Sequence, residues 1–146
     1  MAASHIAIDV ADAVTDSINA ATFTPAVTAV RTYSPERDLE DLIDLAVFVM
    51  PGSMIVEKET RAENSYMIRI DVVIAKKITS DANATIDAFM DLAQEIIEHF
   101  DRLKLTAGTN TAHWQSAEND PLFDGPRLEN GRVFVATVSL MYLVVT

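Results

Sequence analysis

The stretch 65–103 constrains the fold of this chain most, because the period of its apolar residues changes once along its length. Its first half alternates as a β-strand does, and one face is formed by Tyr66, Ile68, Ile70, Val72 and Ile74. Its second half repeats apolar residues at spacings of three and four, in a stripe of Ile86, Phe89, Met90, Ala93, Ile97, Phe100 and Leu103. That spacing indicates an amphipathic helix, and Ser80 is placed to cap it. A long strand therefore leads into the strongest helix of the chain.

The remaining segments predict one more helix and five more strands. Residues 4–20 carry an apolar stripe at helical spacing, with Ser4 as the cap and Phe23-Thr24-Pro25 as the end. Apolar and β-branched runs predict strands at 26–33, 45–50, 53–60, 112–118 and 132–145. Turn and loop residues predict a turn at Pro51-Gly52, a short helical turn at 39–42, a polar break at 106–110, a loop at 119–130 and a turn at Asn130-Gly131.

This order predicts a single α+β domain over residues 1–146. Strands come in runs and only two helices interrupt them, which favours one mainly antiparallel sheet of about six strands. We expect both amphipathic helices to pack on one face of that sheet. A chain of 146 residues is long enough to bury such a core without disulfides.

Composition and charge exclude several classes of function. The chain has 22 acidic and 11 basic residues and a net charge of -11, which disfavours a protein that binds nucleic acid through phosphates. It has no cysteine, hence neither a disulfide nor a thiolate metal site. The first residues lack a basic signal-peptide segment, and no apolar run approaches the roughly 20 residues that span a membrane. We expect a soluble protein without an export signal or a membrane partner.

Motifs that carry chemistry are missing. Glu95 and His99 have a spacing that two metal ligands use, but no second cluster completes a site. With 4 glycines the chain has no phosphate-binding loop, and no serine or histidine lies in a nucleophile motif. We therefore predict no catalytic residue, no cofactor and no metal ligand, and a protein that is not an enzyme.

Charged side chains form two groups that point to surfaces. An acidic row of Asp87, Asp91, Glu95 and Glu98 lies opposite the apolar stripe of the long helix. It is either an ordinary solvated helix face or a surface that meets basic residues or a DNA conduit. Five of the 11 basic residues lie in the central hairpin, namely Lys58, Arg61, Arg69, Lys76 and Lys77. Acidic helices and a basic hairpin suit a head-to-tail interface between identical copies.

Three large apolar residues lie in or near the late polar loop. They are Trp114, Leu122 and Phe123. Interfaces favour aromatic anchors of this kind, so we treat these residues as candidate partner contacts. The alternative is that they fold back onto the core.

Short motifs along the chain resemble one family. They are Arg31-x-Tyr33-x-Pro35, Asp38-Leu39 with Leu42, Val47-x-Val49-x-Pro51, the strand Tyr66–Val73 with Lys76-Lys77, Asp81-Ala82-x-x-x-Ile86-Asp87, Glu118-Asn119-x-Pro121-Leu122 and Phe134–Tyr142. From about His5 to Val145 the chain is similar to the tail terminators, or tail completion proteins, of tailed bacteriophages and prophages.

The resemblance implies a curved antiparallel sheet with two helices and a structural role in the virion. Such proteins form a hexameric ring that caps the tail tube and joins it to the head connector. The implied partners are other copies of the chain, the tail tube protein and the head-tail connector protein. DNA passes through the channel without specific binding, and an acidic lumen would repel it. The implied location is the tail or neck of the virion, after synthesis in the host cytoplasm.

Other functions fit the residues as well. An acidic inhibitor that mimics DNA would use the acidic row, and another head-tail joining protein, such as a head closure protein, would share the ring. An enzyme of unknown type is the third alternative.

Reversing two charges tests the head-to-tail hypothesis. We expect the double substitution Lys76→Glu and Lys77→Glu to weaken assembly, because it places like charges against the acidic row. Light scattering on the variant measures this, and unchanged assembly would contradict the hypothesis.

Overall fold

Six strands and three helices are present in the described part of the computed structural model, which covers residues 5–23, 27–33, 45–78, 83–120, 122–131 and 133–146. In chain order they are α1 (Ile6–Ala20), β1 (Ala29–Arg31), β2 (Ala46–Lys58), β3 (Asn64–Lys77), α2 (Asn83–Phe100), β4 (Leu105–Ala107), β5 (Asn110–Asn119), α3 (Gly125–Gly131) and β6 (Val133–Val145). The predictions at Ser4, Thr24 to Ala26, residues 39–42 and Ser80 lie outside the described residues.

The strands form one curled sheet in the order β1-β2-β3-β6-β5-β4. Its centre is the antiparallel pair β3 and β6, whose register runs from Ser65 opposite Val145 to Lys77 opposite Val133. The remaining neighbours are antiparallel too, except that β1 runs parallel to β2. The predicted α+β fold with a mainly antiparallel sheet of six strands is confirmed.

The core lies between the helices and one face of the sheet. The alternate residues of β3 that were predicted to share a face are buried, apart from half-buried Tyr66, and they pack with buried residues of both helices. The helical contribution comes from Val10, Val14, Ile18, Phe89, Leu92, Ile96 and Phe100. Burying each large aliphatic side chain of this kind stabilises the fold by about 1.5–3 kcal/mol. The core therefore holds both helices on the sheet.

The apolar run 45–50 is buried on both faces of the sheet, as its composition predicts. Val47 and Val49 belong to the main core. Phe48 points the other way and forms a second, smaller cluster with Val73 and Ala75. This half of β2 lies in the interior of the molecule.

The predicted turn at Pro51-Gly52 is wrong, because β2 continues through it. Pro51 lies opposite Ile70 and Ser53 lies opposite Arg69, which leaves Gly52 as an extra residue in a β-bulge. The twelve cross-strand pairs of β2 with β3 outweigh the local preference of Pro51-Gly52 for a turn. The following hairpin from 53–60 to the long strand was predicted correctly.

A side chain at this bulge would displace the two charged side chains that cover it. A Cβ at Gly52 would lie 2.8 Å from Nε of Arg69 and 2.8 Å from Oδ2 of Asp71. Nε of Arg69 and Oδ1 of Asp71 are 3.3 Å apart, and the Ser139 hydroxyl donates to Oδ1 of Asp71 at 2.8 Å. The bulge therefore lies beneath a small polar group on the face away from the helices.

Other elements also differ from the sequence predictions. Residues 105–112 form a β-hairpin around Gly108, which has a φ of 62°, where a polar break was predicted. A Cβ at Gly108 would approach Oδ2 of Asp9 to 2.9 Å, so this hairpin packs tightly on α1. Residues 125–131 form α3 where a loop and a turn at Asn130-Gly131 were predicted. The long helix ends at Phe100, three residues earlier than predicted.

The short edge strand β1 is fastened to α1 by side chains. The Asn19 amide donates to the carbonyl of Ala29 at 3.0 Å and accepts from its N–H at 2.7 Å, as a neighbouring strand would. Arg31 forms an ion pair with Asp12 and donates to the hydroxyl of Tyr33. Because β1 has only three residues, these contacts fix its position.

Removing the Asn19 amide tests this attachment. We expect Asn19→Ala to lower the free energy of unfolding by about 1–2 kcal/mol, since two hydrogen bonds to one peptide unit are lost. Urea unfolding measures the change. Gln94→Ala, which removes one exposed side-chain contact to Glu98, is the control and should stay within about 0.5 kcal/mol of the parent.

Candidate interaction surface

Three consecutive apolar side chains are exposed where β2 approaches its hairpin with β3. The exposed fractions are 36% for Met54, 57% for Ile55 and 49% for Val56. These side chains are exposed because β2 continues past the part of the sheet that the helices cover. Even Met54 and Val56, which lie on the helix side, therefore reach solvent. In a protein with a net charge of -11, residues 50–56 of β2 contain no charged side chain.

A depression of about 360 Å³ lies beside these residues on the face away from the helices. Its lining consists of Ile55, Glu57, Glu59, Ser65, Met67 and Leu143. Ile55, Met67 and Leu143 are successive partners across β2, β3 and β6, so they form a continuous apolar row. The depression suits an apolar side chain from another molecule better than a charged ligand.

One edge of β2 is open along the same residues. β1 pairs only with Val47–Val49, and no other described strand pairs with that side of β2. Among the residues that the structure describes, the backbone of Ser53–Lys58 therefore pairs with β3 alone. An open edge with apolar side chains is a template for pairing with another chain.

The acidic row follows the outer side of α2. Asp87, Asp91 and Glu98 are exposed, and Glu95 is half-buried. At 1.5 Å per residue the row is about 16 Å long. The helix presents it to solvent, as an interface or a channel wall would require.

The predicted basic group is divided by the length of β3. Lys58 lies at the hairpin end, whereas Lys76 and Lys77 lie at the other end, about 40 Å away at the rise of an extended strand. Arg69, between them, is paired with Asp71. The structure therefore does not bring the five bases together, and the head-to-tail hypothesis concerns Lys76 and Lys77.

The three candidate partner contacts have different environments. Trp114 is half-buried, packs against the main core and lies opposite Tyr142. Leu122 and Phe123 precede α3 and are exposed by 52% and 43%. An interface could bury Leu122 and Phe123 completely, while most of the area of Trp114 already stabilises the fold.

His99 joins the two long helices. Its Nε2 is 2.8 Å from the hydroxyl oxygen of Ser17, and its ring packs edge-on against Phe23 and Phe100. Burial lowers the pKa of His99 below its ordinary value.

The described residues contain no group of three side chains that could hold a metal ion. Sequence spacing suggested a metal pair with Glu95, and it missed this contact because Ser17 is remote in sequence.

No described helix has the length and apolar character needed to cross a membrane. Besides Met54, Ile55 and Val56, the large apolar side chains that are exposed among the described residues are Val30, Tyr33, Leu122, Phe123 and Val145.

Comparison with known proteins identifies the fold and not a family. No family model and no curated protein matches the chain. A solved structure whose name states no function is similar over 98% of this chain and 96% of its own, with a TM-score of 0.54 and 17% identity. At that identity the similarity extends to the architecture alone.

The His99 contact generates a prediction about pH. Because the folded state lowers the pKa of His99, the unfolded state binds the proton more readily below about pH 6.5. The free energy of unfolding should therefore fall as the pH drops from about 6.5 to the lowered value. His99→Gln, which retains a polar group toward Ser17, should lack this part of the pH dependence in urea unfolding. His113→Gln, at an exposed position, is the matched control and should behave as the parent does.

Proposed function

We propose that this protein is a structural virion protein of a tailed bacteriophage, a tail terminator. Copies of it form a ring that caps the tail tube and joins it to the head connector. The observation that carries the proposal is the exposed apolar end of the sheet with its open β2 edge, which is a surface built for assembly. The family resemblance of the sequence and the curled sheet with helices on one face are consistent with it.

Assembly would bury the apolar side chains of this surface and pair its open backbone groups. Burying apolar area is favourable by about 25 cal/mol per Å², and Met54, Ile55 and Val56 offer such area side by side. The open backbone groups of the same strand gain partners only when another strand lies beside them. In a closed ring the open edge of every copy is paired, whereas an open chain of copies leaves an unpaired edge at each end.

The acidic row supports a place beside DNA without binding to it. Carboxylates on a channel wall repel phosphates, so DNA can move through without being held. In the proposed ring, Asp87, Asp91 and Glu98 face the lumen. We infer this orientation from charge alone, because affinity for DNA would not help a channel through which DNA has to pass.

The alternative of a DNA mimic has less support. Duplex DNA carries about one charge per 1.7 Å, or roughly nine charges over the 16 Å of the row. α2 supplies four carboxylates over that length, in a single line. A head closure protein would use the same assembly surface, and the experiment below distinguishes it.

The proposal is tested on tail tubes. Tube protein is polymerised with and without the purified chain, and negative-stain electron microscopy records tube length and tube ends. A terminator should give shorter tubes with a ring at one end, and the capped tubes should attach to heads. Tubes that grow equally long without rings would contradict the proposal, and binding to heads but not tubes would indicate head closure instead.

Assembly should depend on the sheet end. We expect Ile55→Lys to abolish ring formation, because a charge replaces an apolar residue that is 57% exposed and free of core packing. Val30→Lys, on β1, is matched in exposure at 53% and should assemble as the parent does. Light scattering gives the assembly state, and thermal unfolding checks that both variants fold. Equal assembly of the two variants would contradict the role of the sheet end.

A further inference from the structure

We propose that copies of the chain join edge to edge, with β2 of one copy pairing antiparallel with β5 of the next, through Ser53–Ile55 and His113–Ser116. The inference rests on the ring proposed above and assigns the contact that closes it.

The sheet has a second open edge, on β5. β4 pairs only with Asn110–Ala112, and in the described chain no strand covers the outer side of β5 beyond that point. Residues 113–119 therefore expose backbone groups on one side, as Ser53–Lys58 do on β2. The two open edges belong to opposite sides of the same sheet.

The two edges lie at the same level along the strands. One row of partners runs from Ser53 through Arg69 and Met141 to Ser116. The next row on that face runs from Ile55 through Met67 and Leu143 to His113. When a second copy is placed beside the first by rotation about an axis along the strands, these residues stay level and become neighbours.

Strand direction favours the same pairing. β2, β3, β6 and β5 alternate in direction, so β2 and β5 run oppositely within one copy. Rotation preserves each direction, and β5 therefore meets the neighbouring β2 in the antiparallel sense that the rest of the sheet uses. The junction continues the sheet from copy to copy.

Side chains at the two edges are compatible. The segments Ser53-Met54-Ile55 and His113-Trp114-Gln115-Ser116 contain no acidic residue, in a chain with 22 of them. On the helix side the junction places Met54 beside Trp114, since both lie in the row of Ile68 and Tyr142. It covers Met54 and Ile55 without opposing like charges.

The absence of cysteine in the sequence allows a clean cross-linking test. The double variant Ser53→Cys with Ser116→Cys places two thiols on one face of the proposed junction. Cα atoms of directly opposite strand residues lie about 4.5–5.5 Å apart, which a disulfide can bridge. Two more double variants, Ile55→Cys with Ser116→Cys and Ser53→Cys with His113→Cys, cover a stagger of one row of partners in either direction. Each single-cysteine variant is the control.

Oxidation of the assembled protein should give a covalent ladder in one of the double variants, ending at the mass of the ring, and no ladder in the single variants. The ladder should vanish when Ile55→Lys is added to a double variant that retains Ile55. Dimers from Ile55→Cys alone would overturn the inference, because β2 would then pair with β2 of another copy. Rings that cap tubes without cross-linking in any double variant would overturn this contact and leave the proposed function standing. A chain that neither caps tubes nor exceeds the mass of a monomer would overturn both.

Discussion

The antiparallel pairing of β3 with β6 is the constraint on which the rest of the structure depends. Thirteen residues of each strand are in register, and their strict alternation puts one row against the helices and the other row on the opposite face. A slip of one residue would exchange the two rows and place the core in solvent. The pair therefore fixes where α1 and α2 pack, which edge receives the β2 hairpin and which edge receives β5. The two open edges are consequences of that arrangement.

The β-bulge at Gly52 divides β2 into a part that stabilises the fold and a part that is free to assemble. Before the bulge, Val47 and Val49 are buried and β1 pairs with them, and the N–H of Thr32, just after β1, donates to the Val49 carbonyl. After the bulge the same strand has β3 as its one neighbour among the described strands, and its apolar side chains are exposed. An extra residue in one strand bends it and increases its twist, which is a reason for β1 to stop where it does. The open edge begins within two residues of the bulge.

Strict periodicity made α1, α2, β3 and β6 predictable, because their buried faces repeat without interruption. Pro51-Gly52 was wrongly predicted as a turn, since a turn and a bulge use the same residues and only pairing with β3 decides between them. β4 packs on α1, which is remote in sequence, as the approach of Gly108 to Asp9 shows, and α3 follows Asp124, whose N–H donates to the Val135 carbonyl of β6. The acidic row could be predicted because its residues repeat at the same helical spacing as the apolar stripe of α2. The exposure of Met54, Ile55 and Val56 could not be predicted, because it depends on how far β1 and the helices extend over the sheet.

Self-assembly into a closed ring would multiply the mass of the protein in solution, and this mass is the quantity to measure first. Size exclusion with light scattering over a range of concentrations, with and without tail tubes, reports that mass. We expect a species of about six times the 16.0 kDa chain, as the family resemblance implies. A strict monomer at every concentration, with no ring on the tubes, would contradict it.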